Sequence, residues 1–352
     1  GTEFQVEAGD GASGIVLGRP GDFSRLPFEV KFGDGPLDRE DYLIRSHGGS
    51  LYLLGATDLA VSHAAWDLLH RLGYRQFFPG KTWEVVPHAT DLSIAVVARQ
   101  RPAFHARRIW YNWGLWGYNN DPYADWCRRN RMAKGLDLNS GHAYESIVAA
   151  NRAEFDQHPE YYALVGGKRE LRPDAKFCIS NPGLRRLVTD HAARHFTANP
   201  MADGISMDPS DGGGWCECPE CAKMGSVSDR VATLANVAAE SANKLGLGPK
   251  YVGIYAYNQH SAPPKIKVHP NVIPSVTTAF IGGGFTFDQV VTGWQSRGAT
   301  IGVYDYLSVV DWDWNLPRGG AGARLQPISG FLPKVPAMGA RFYDAESGDC
   351  WG

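Results

Sequence analysis

Two carboxylates, a run of glycines and three cysteines lie close together in the segment 208–221. Asp208 and Asp211 come directly after the apolar run 204–207, which predicts a short buried strand, and the glycines 212–214 follow them. Ordinary turns do not carry such a set of reactive side chains, whereas loops that leave a rigid sheet often carry catalytic groups. The segment therefore indicates an enzyme more than a scaffold.

The cysteines of this loop have the spacing C-x-C-x-x-C, at Cys216, Cys218 and Cys221. Cys178 is expected to leave a neighbouring strand, and four thiolates would make a closed structural zinc site. A disulfide across the loop is the alternative in an exported protein. A third interpretation is a metal-dependent hydrolase, which would need an open coordination position beside the cleft.

Hydrolysis of a glycosidic bond needs one carboxylic acid to protonate the leaving oxygen and a second group to stabilise or attack the positive centre. We assign Asp211 and Glu346 as the working pair and place Asp208 with them in the catalytic group, where it and Asp305 orient other groups or bind sugar. The alternatives are a turn-capping role for Asp208 and Asp211, and an ion pair with an arginine for Glu346. The candidates for substrate binding all follow predicted strands: Trp113, His142, Tyr257, Asn258, Asp305, Tyr306 and Trp312.

These side chains need a framework that brings the ends of several strands together. From residue 103 onward, helical stretches alternate with eight short apolar runs, at 106–110, 135–138, 176–179, 204–207, 251–255, 275–279, 300–304 and 340–343. This rhythm predicts a (β/α)8 TIM barrel, in which active sites lie at the carboxyl ends of the strands. The chain ends just past the last run, so we expect the barrel domain 103–352 to be truncated at its C-terminal end.

Residues 1–100 predict a separate small α/β domain. His47, Gly48 and Gly49 are expected to join two strands as a hairpin. Thr57 can cap a helix that ends near Gly73. The four expected strands are 15–17, 41–45, 50–54 and 92–97.

Composition excludes two classes of partner. The chain of 352 residues has a formal net charge of -2 and no run rich in Lys or Arg, so it offers no basic surface to nucleic acid or anionic lipid. Its apolar stretches are too short to predict a membrane span. Aromatic residues make up 12% of the chain, and exposed aromatic planes can stack on the apolar faces of sugar rings. An oligosaccharide or glycan is the expected partner.

Three motifs resemble a known family: YADWCRRNRM at 123–132, HPEYYALVGGKR at 158–169 and DGGGWCECPEC at 211–221. They are similar to motifs of the bacterial glycoside hydrolase-like barrels catalogued as domain of unknown function 4838, part of which became glycoside hydrolase family 163. The first domain, above all residues 51–80, resembles the non-catalytic N-terminal domain that precedes the barrel in family 20 hexosaminidases and family 67 α-glucuronidases.

The resemblance implies a secreted or periplasmic bacterial hydrolase that degrades glycans, and family 163 implies endo-β-N-acetylglucosaminidase activity on N-glycans. Paired-carboxylate catalysis requires no cofactor. Family 20 enzymes place an adjacent Asp-Glu pair after the fourth strand for substrate-assisted catalysis, whereas this chain has Asp208-Pro209 there. This departure favours an alternative function, that of a non-catalytic glycan-binding protein that has lost the acid/base pair.

Overall fold

The computed structural model describes residues 5–88, 91–110, 120–307 and 325–346. The chain divides into two compact units, one formed by residues 1–105 and 114–136 and the other by residues 106–113 and 137–352. The first point of division lies close to the boundary expected at 100–103. The described residues 120–136, which follow the expected boundary, group with the first unit.

The first unit contains a four-stranded sheet in the order β1-β3-β2-β6 and a two-stranded sheet of β4 and β5. Strand β1 is parallel to β3, whereas β2 is antiparallel to both β3 and β6. The β2–β3 hairpin forms as predicted, because Gly48 and Gly49 take the positive φ angles, 56° and 79°, that a tight two-residue turn requires. The strands are β1 (Ile15–Gly18), β2 (Tyr42–His47), β3 (Ser50–Gly55), β4 (Arg75–Gln76), β5 (Glu84–Val85) and β6 (Val97–Gln100).

Both faces of the four-stranded sheet are covered. Helix α1 (Asp58–Arg71) packs Ala60 and other small side chains onto one face, and the irregular segment 23–32 covers the other with apolar side chains. Thr57 caps α1, as predicted, by accepting a 3.3 Å hydrogen bond from Ala60 N. Helix α2 (Asn120–Arg129) belongs to the same unit.

Strand β6 begins later than predicted. The sequence predicts a strand at 92–97, but the residues paired with β2 are Val97–Gln100. The hydroxyl of Ser46 donates to Ile94 O and accepts from Val96 N. Ser46 N also donates to Val96 O over 2.8 Å, so residues 94–96 are held beside β2 just before β6 begins.

The second unit contains a parallel sheet of six strands in the order β10-β11-β12-β13-β14-β7. Strands β10 to β14 are neighbours in chain order, and β14 pairs with β7, the first strand of the unit. This is the neighbour relation of a barrel and not of a doubly wound sheet, and it brings all six carboxyl ends to one edge. The strands are β7 (Ala106–Trp110), β10 (Gly204–Ser206), β11 (Tyr251–Asn258), β12 (Val272–Ile281), β13 (Gly302–Tyr306) and β14 (Phe342–Glu346).

The other elements of the second unit are helices and one short hairpin. Helix α7 buries an apolar stripe that includes Val231, Leu234 and Ala238, and it begins at a capping box formed by Ser226 and Asp229. None of the helices within the described ranges combines the length and the apolar composition that crossing a membrane requires. The elements are α3 (Tyr144–Ala150), α4 (Arg152–Gln157), β8 (Leu164–Val165), β9 (Lys168–Arg169), α5 (Pro182–Ala198), α6 (Pro219–Lys223), α7 (Val227–Asn243), α8 (Phe287–Gln295), α9 (Leu325–Phe331) and α10 (Lys334–Ala337).

Two of the eight predicted barrel strands, 135–138 and 176–179, are not strands of this sheet. The chain just after the first of them lies directly against β11, where a β carbon on Gly253 would be only 2.1 Å from Asn139 O. The second run instead lies antiparallel to residues 161–163, since Ala163 N donates to Lys176 O and Cys178 N to Tyr161 O, both over 2.8 Å. Within the described residues the parallel sheet therefore has six strands.

Candidate functional site

Asp208 is the buried centre of the candidate site, just past the end of β10. Its side chain is 0% exposed. Oδ1 accepts a 2.6 Å hydrogen bond from Tyr255 N, and Oδ2 lies 2.7 Å from Nδ1 of His142. A buried carboxylate whose oxygen atoms already accept hydrogen bonds from the protein does not reach a substrate. The side chain of Asp208 is therefore positioned to orient His142 and not to contact a ligand directly.

The hydrogen bonds of His142 fix the orientation of its ring. Nδ1 lies 2.7 Å from Asp208 Oδ2 and 2.6 Å from Pro209 O, and because both oxygens only accept, Nδ1 carries the proton. Burial favours the neutral ring, but the hydrogen bond and charge of Asp208 outweigh it and raise the pKa of His142 above its ordinary value. The side chain is 40% exposed, so Nε2 is the ring nitrogen that can meet a ligand.

Asp211 lies on the exposed part of the loop after β10. Tyr257 OH donates a 3.2 Å hydrogen bond to its Oδ1. Lys176 holds its backbone, because Nζ donates to Asp211 O over 2.9 Å and also to Ser210 O. The position of the Asp211 carboxylate is therefore set both through its side chain and through its backbone.

Lys176 is a residue of the site that the sequence analysis missed. A single lysine in an apolar run indicates an exposed side chain, but this one is buried, and burial lowers its pKa to about 8. Its Nζ also lies 5.2 Å from the centre of the Trp215 ring, a cation–π contact within the same loop. The only signal in the sequence is the apolar character of the run around it.

Glu346 ends β14 beside the tyrosines that end β11 and β13. Burial, together with the charges of Asp211 and Glu346, raises the pKa of Tyr257 to about 12. Burial and the same two carboxylates also raise the pKa of Tyr306. Glu346 is paired with Tyr306 at the ends of β14 and β13, and Asp211 accepts from Tyr257 OH, so both carboxylates lie at the carboxyl edge of the sheet.

Phe280 adds an exposed aromatic ring to this edge. Its ring centre lies 5.9 Å from that of Tyr257 and 5.2 Å from that of Tyr306, and the side chain is 51% exposed. The backbone takes a φ of 56°, which is uncommon for a bulky residue and is often found at functional positions. The sequence analysis missed Phe280, because β12 extends to Ile281, past the predicted end at 279.

Asp305 is the fourth residue of β13 and not the first residue after it. The sequence predicts it as the first residue after a strand at 300–304, but β13 extends to Tyr306, and side chains alternate between the two faces of a strand. Its carboxylate accepts 2.6 Å hydrogen bonds from Thr278 Oγ1 and Tyr343 OH, and a 2.8 Å hydrogen bond from Tyr306 N. Asp305 thus braces three neighbouring strands, and it also lines a surface pocket with Thr278 and Tyr306.

The remaining predicted substrate-binding residues differ in how the structure places them. Asn258 is exposed at the end of β11, beside Tyr257, with a φ of 48° that follows an irregularity in the strand pairing. Trp113 and Trp312 lie outside the described residues. Of the predicted set, the site therefore contains His142, Tyr257, Tyr306 and Asn258.

Four cysteines form a cluster at the far end of the loop. The Sγ atoms of Cys178, Cys216, Cys218 and Cys221 all lie within 4.8 Å of one another. Three of the side chains are deeply buried, and Cys218 is 9% exposed. None of the four is in a disulfide. The cluster, including the predicted outside partner Cys178, could bind a structural metal such as zinc.

The family described as "Domain of unknown function (DUF4838)" matches residues 78–311. No curated protein matches the chain. Among solved structures, a glycoside hydrolase family 20 β-N-acetylglucosaminidase is similar, with a TM-score of 0.49 and 12% sequence identity. That similarity covers 94% of this chain and 76% of the other.

Proposed function

We propose that this chain, which belongs to the family of the domain of unknown function DUF4838, is a glycoside hydrolase that acts on a complex glycan by paired-carboxylate catalysis. The observation that carries the proposal is that Tyr257 OH donates to Asp211 Oδ1, while Glu346 pairs with Tyr306 at the ends of the adjacent strands β14 and β13. All four residues lie at the carboxyl edge of one parallel sheet, where barrel enzymes hold their reactive groups. Two carboxylates beside aromatic rings suit the cleavage of a glycosidic bond.

In this proposal the two carboxylates share the chemistry. One protonates the leaving oxygen while the other faces the positive charge that develops on the sugar. Tyr257 OH orients Asp211 through its hydrogen bond, so that carboxylate is held before substrate arrives. Neither role requires a metal or an organic cofactor.

Two further residues supply binding. His142 presents Nε2 to a sugar hydroxyl, since Asp208 and Pro209 occupy Nδ1. Phe280 presents an exposed ring on which the apolar face of a sugar can stack. We propose endo-β-N-acetylglucosaminidase activity on N-glycans and a secreted or periplasmic location as the more specific assignments, and the resemblance of the three sequence motifs supports them.

A non-catalytic glycan-binding protein is the second candidate function. Asp208 favours it, because the acid that directly follows β10 is withdrawn from the cleft by burial and is followed by Pro209 instead of a second acid. The aromatic rings and His142 would suit binding alone as well as they suit hydrolysis. Only the pair Asp211 and Glu346 separates the two functions.

The test is a screen of the protein against released N-glycans, glycosaminoglycans and plant oligosaccharides, with the products identified by mass spectrometry. We expect cleavage of an N-glycan, and we expect Asp211→Asn and Glu346→Gln each to lower turnover about 10²–10⁴-fold, the usual contribution of acid–base catalysis. Asp190→Asn and Glu145→Gln, which change exposed acids of the same unit, are the matched controls and should leave turnover unchanged.

Each outcome decides between the candidates. Glycan binding without any cleaved product would support the binding protein and overturn the hydrolase. Cleavage that survives in both Asp211→Asn and Glu346→Gln would show that these carboxylates are not the working pair. Unchanged binding in both variants, together with lost turnover, would support the roles proposed here.

A further inference from the structure

We propose that Cys178, Cys216, Cys218 and Cys221 bind one Zn²⁺ in a closed tetrathiolate site, and that this metal holds the loop 208–221 in place. The distances fit the metal. Cys178 Sγ lies 3.6 Å from Cys218 Sγ and 3.9 Å from Cys221 Sγ. A tetrahedral zinc with Zn–S bonds of about 2.3 Å places its sulfur atoms about 3.8 Å apart. The four side chains therefore already surround a space of the right size.

The surroundings of the sulfur atoms suit thiolates. Thiolate anions are stabilised by N–H donors and by a nearby cation, and the guanidinium of Arg169 lies beside Cys178. The hydroxyl of Ser180 is 3.2 Å from Cys221 Sγ. Three of the sulfur atoms accept backbone hydrogen bonds: Cys216 Sγ from Leu164 N over 3.3 Å, Cys218 Sγ from Cys221 N over 3.3 Å, and Cys221 Sγ from Ser180 N over 3.4 Å.

A disulfide fits the cluster less well. A disulfide brings two sulfur atoms to about 2.05 Å and uses only two cysteines at a time. Here Cys178 is almost equally distant from Cys218 and Cys221, so the geometry does not select one partner. A single metal ion satisfies all four sulfur atoms at once.

Four protein ligands leave no coordination position for water or substrate. A zinc site of this kind is structural, because catalytic zinc keeps an open position. These four cysteines therefore suit a structural metal and not the metal-dependent hydrolase that the sequence analysis considered. The inference does not depend on the proposed hydrolase activity.

The metal would join segments that are far apart in the chain. Cys178 and Cys218 are 40 residues apart. The same loop is tied to the β8–β9 hairpin, since Glu217 N donates to Leu164 O over 2.8 Å and Gly166 N donates to Glu217 Oε2 over 2.8 Å. Lys176, two residues before Cys178, donates to Asp211 O. A metal that fixes Cys178 thus also fixes the residue that holds Asp211.

The first test measures the metal directly. The full chain, purified without chelator, should contain about one zinc per molecule by elemental mass spectrometry. Zinc should be replaceable by Co²⁺, and the cobalt protein should show the charge-transfer absorption of several thiolate ligands and the strong visible bands of a tetrahedral site. Thiol counting on the denatured, unreduced protein should find all four cysteines as free thiols once the metal is removed.

The second test uses variants with a matched control. Cys178→Ser and Cys221→Ser should each lower bound zinc to less than about a tenth of an equivalent. Cys127→Ser, which changes a half-buried cysteine in helix α2 of the other unit, should leave it unchanged. Removing the metal from the wild-type protein should speed hydrogen exchange in residues 209–221 while exchange in α1 stays the same, a readout that needs no substrate.

Several results would overturn the inference. Zinc and cobalt both failing to bind the wild-type chain would do so, as would a mass showing the four cysteines oxidised in pairs. Equal zinc retention in Cys178→Ser and Cys127→Ser would place the metal elsewhere. If the serine variants do not fold, the cobalt spectrum and the thiol count of the wild-type chain still decide the question.

Discussion

Replacing Asp208 by asparagine tests whether this residue is a positioning group, as its burial indicates. The change keeps the shape of the side chain and removes its charge. The amide oxygen of the new side chain can still accept from Tyr255 N, but the carboxylate that holds the proton on His142 Nδ1 is lost. We expect a less stable protein, a lower pKa for His142 and weaker turnover.

The expected magnitude follows from the two hydrogen bonds. A hydrogen bond to a buried charged group contributes about 1.5–3 kcal/mol to the free energy of unfolding. The bond from Tyr255 N is fully buried and survives in weaker form, whereas the bond from His142 is lost but is partly screened, because that side chain is 40% exposed. We therefore expect the free energy of unfolding to fall by about 2–3 kcal/mol.

The pH dependence gives a second, independent readout. In the wild-type protein the raised pKa of His142 means that folding favours the protonated ring, a contribution that is complete below about pH 6.5 and lost as the pH rises through the folded-state value. In Asp208→Asn, burial still lowers the pKa of His142, and only Pro209 O and the charge of Asp211 remain to raise it, so this pKa falls below its wild-type value. The difference in stability between the two proteins should therefore be larger at about pH 5.5 than at about pH 9.

Urea unfolding at the two pH values measures the stability, and NMR titration of the imidazole, assigned with His142→Gln, measures the pKa. Glu160→Gln is the matched control, because Glu160 pairs with His158 over 3.0 Å while both side chains are exposed. Loss of such a surface pair should change stability by less than about 1 kcal/mol. An unchanged His142 pKa, or a stability loss that is the same at both pH values, would refute the role assigned to Asp208.

Two further substitutions test the parts of the site that the sequence did not reveal. Phe280→Ala should raise KM for the glycan by up to about tenfold with little change in stability, since stacking contributes about 0.5–1.5 kcal/mol. Phe77→Ala, which changes another exposed phenylalanine in the first unit, is the control, and equal KM values in the two variants would contradict a stacking role. Lys176→Met should lower the free energy of unfolding by about 2–4 kcal/mol, because Ser210 O and Asp211 O lose a buried donor. It should also lower turnover, and wild-type stability together with wild-type turnover in this variant would show that Lys176 does not anchor the loop.

Features that depend on neighbouring residues could be predicted from the sequence. The hairpin at Gly48 and Gly49 and the cap at Thr57 rest on local backbone and side-chain hydrogen bonds, and both were confirmed. Most of the parallel strands could be predicted too, because buried strands are short apolar runs bounded by turns. The recruitment of Cys178 to the loop cysteines also followed from chain order, although the segment around it is not a strand of the sheet.

Features that depend on register or on distant contacts could not be predicted. The sequence predicts that β13 ends at residue 304, two residues before its actual end. Asp305 was therefore predicted in a loop, although it is a strand residue whose face is set by the alternation of side chains along β13. The run around Lys176 has the composition of a barrel strand, but its backbone hydrogen bonds go to residues 161–163. The amino-acid composition of an extended segment does not determine which neighbouring segment it pairs with.

The loop after β10 separates the groups that hold the site from the groups that can meet a substrate. Asp208 and Lys176 are buried, whereas Asp211 is exposed. The carboxylate of Asp208 is hydrogen-bonded to His142, and the ammonium group of Lys176 is hydrogen-bonded to the backbone of the loop. A carboxylate on an exposed loop needs its backbone fixed, because a shift of about 1 Å at a reacting group can lower the rate about 10²-fold. Lys176 on one side of Asp211 and the cysteine cluster on the other meet that need, so changes at these buried positions should impair turnover without removing a group that touches the glycan.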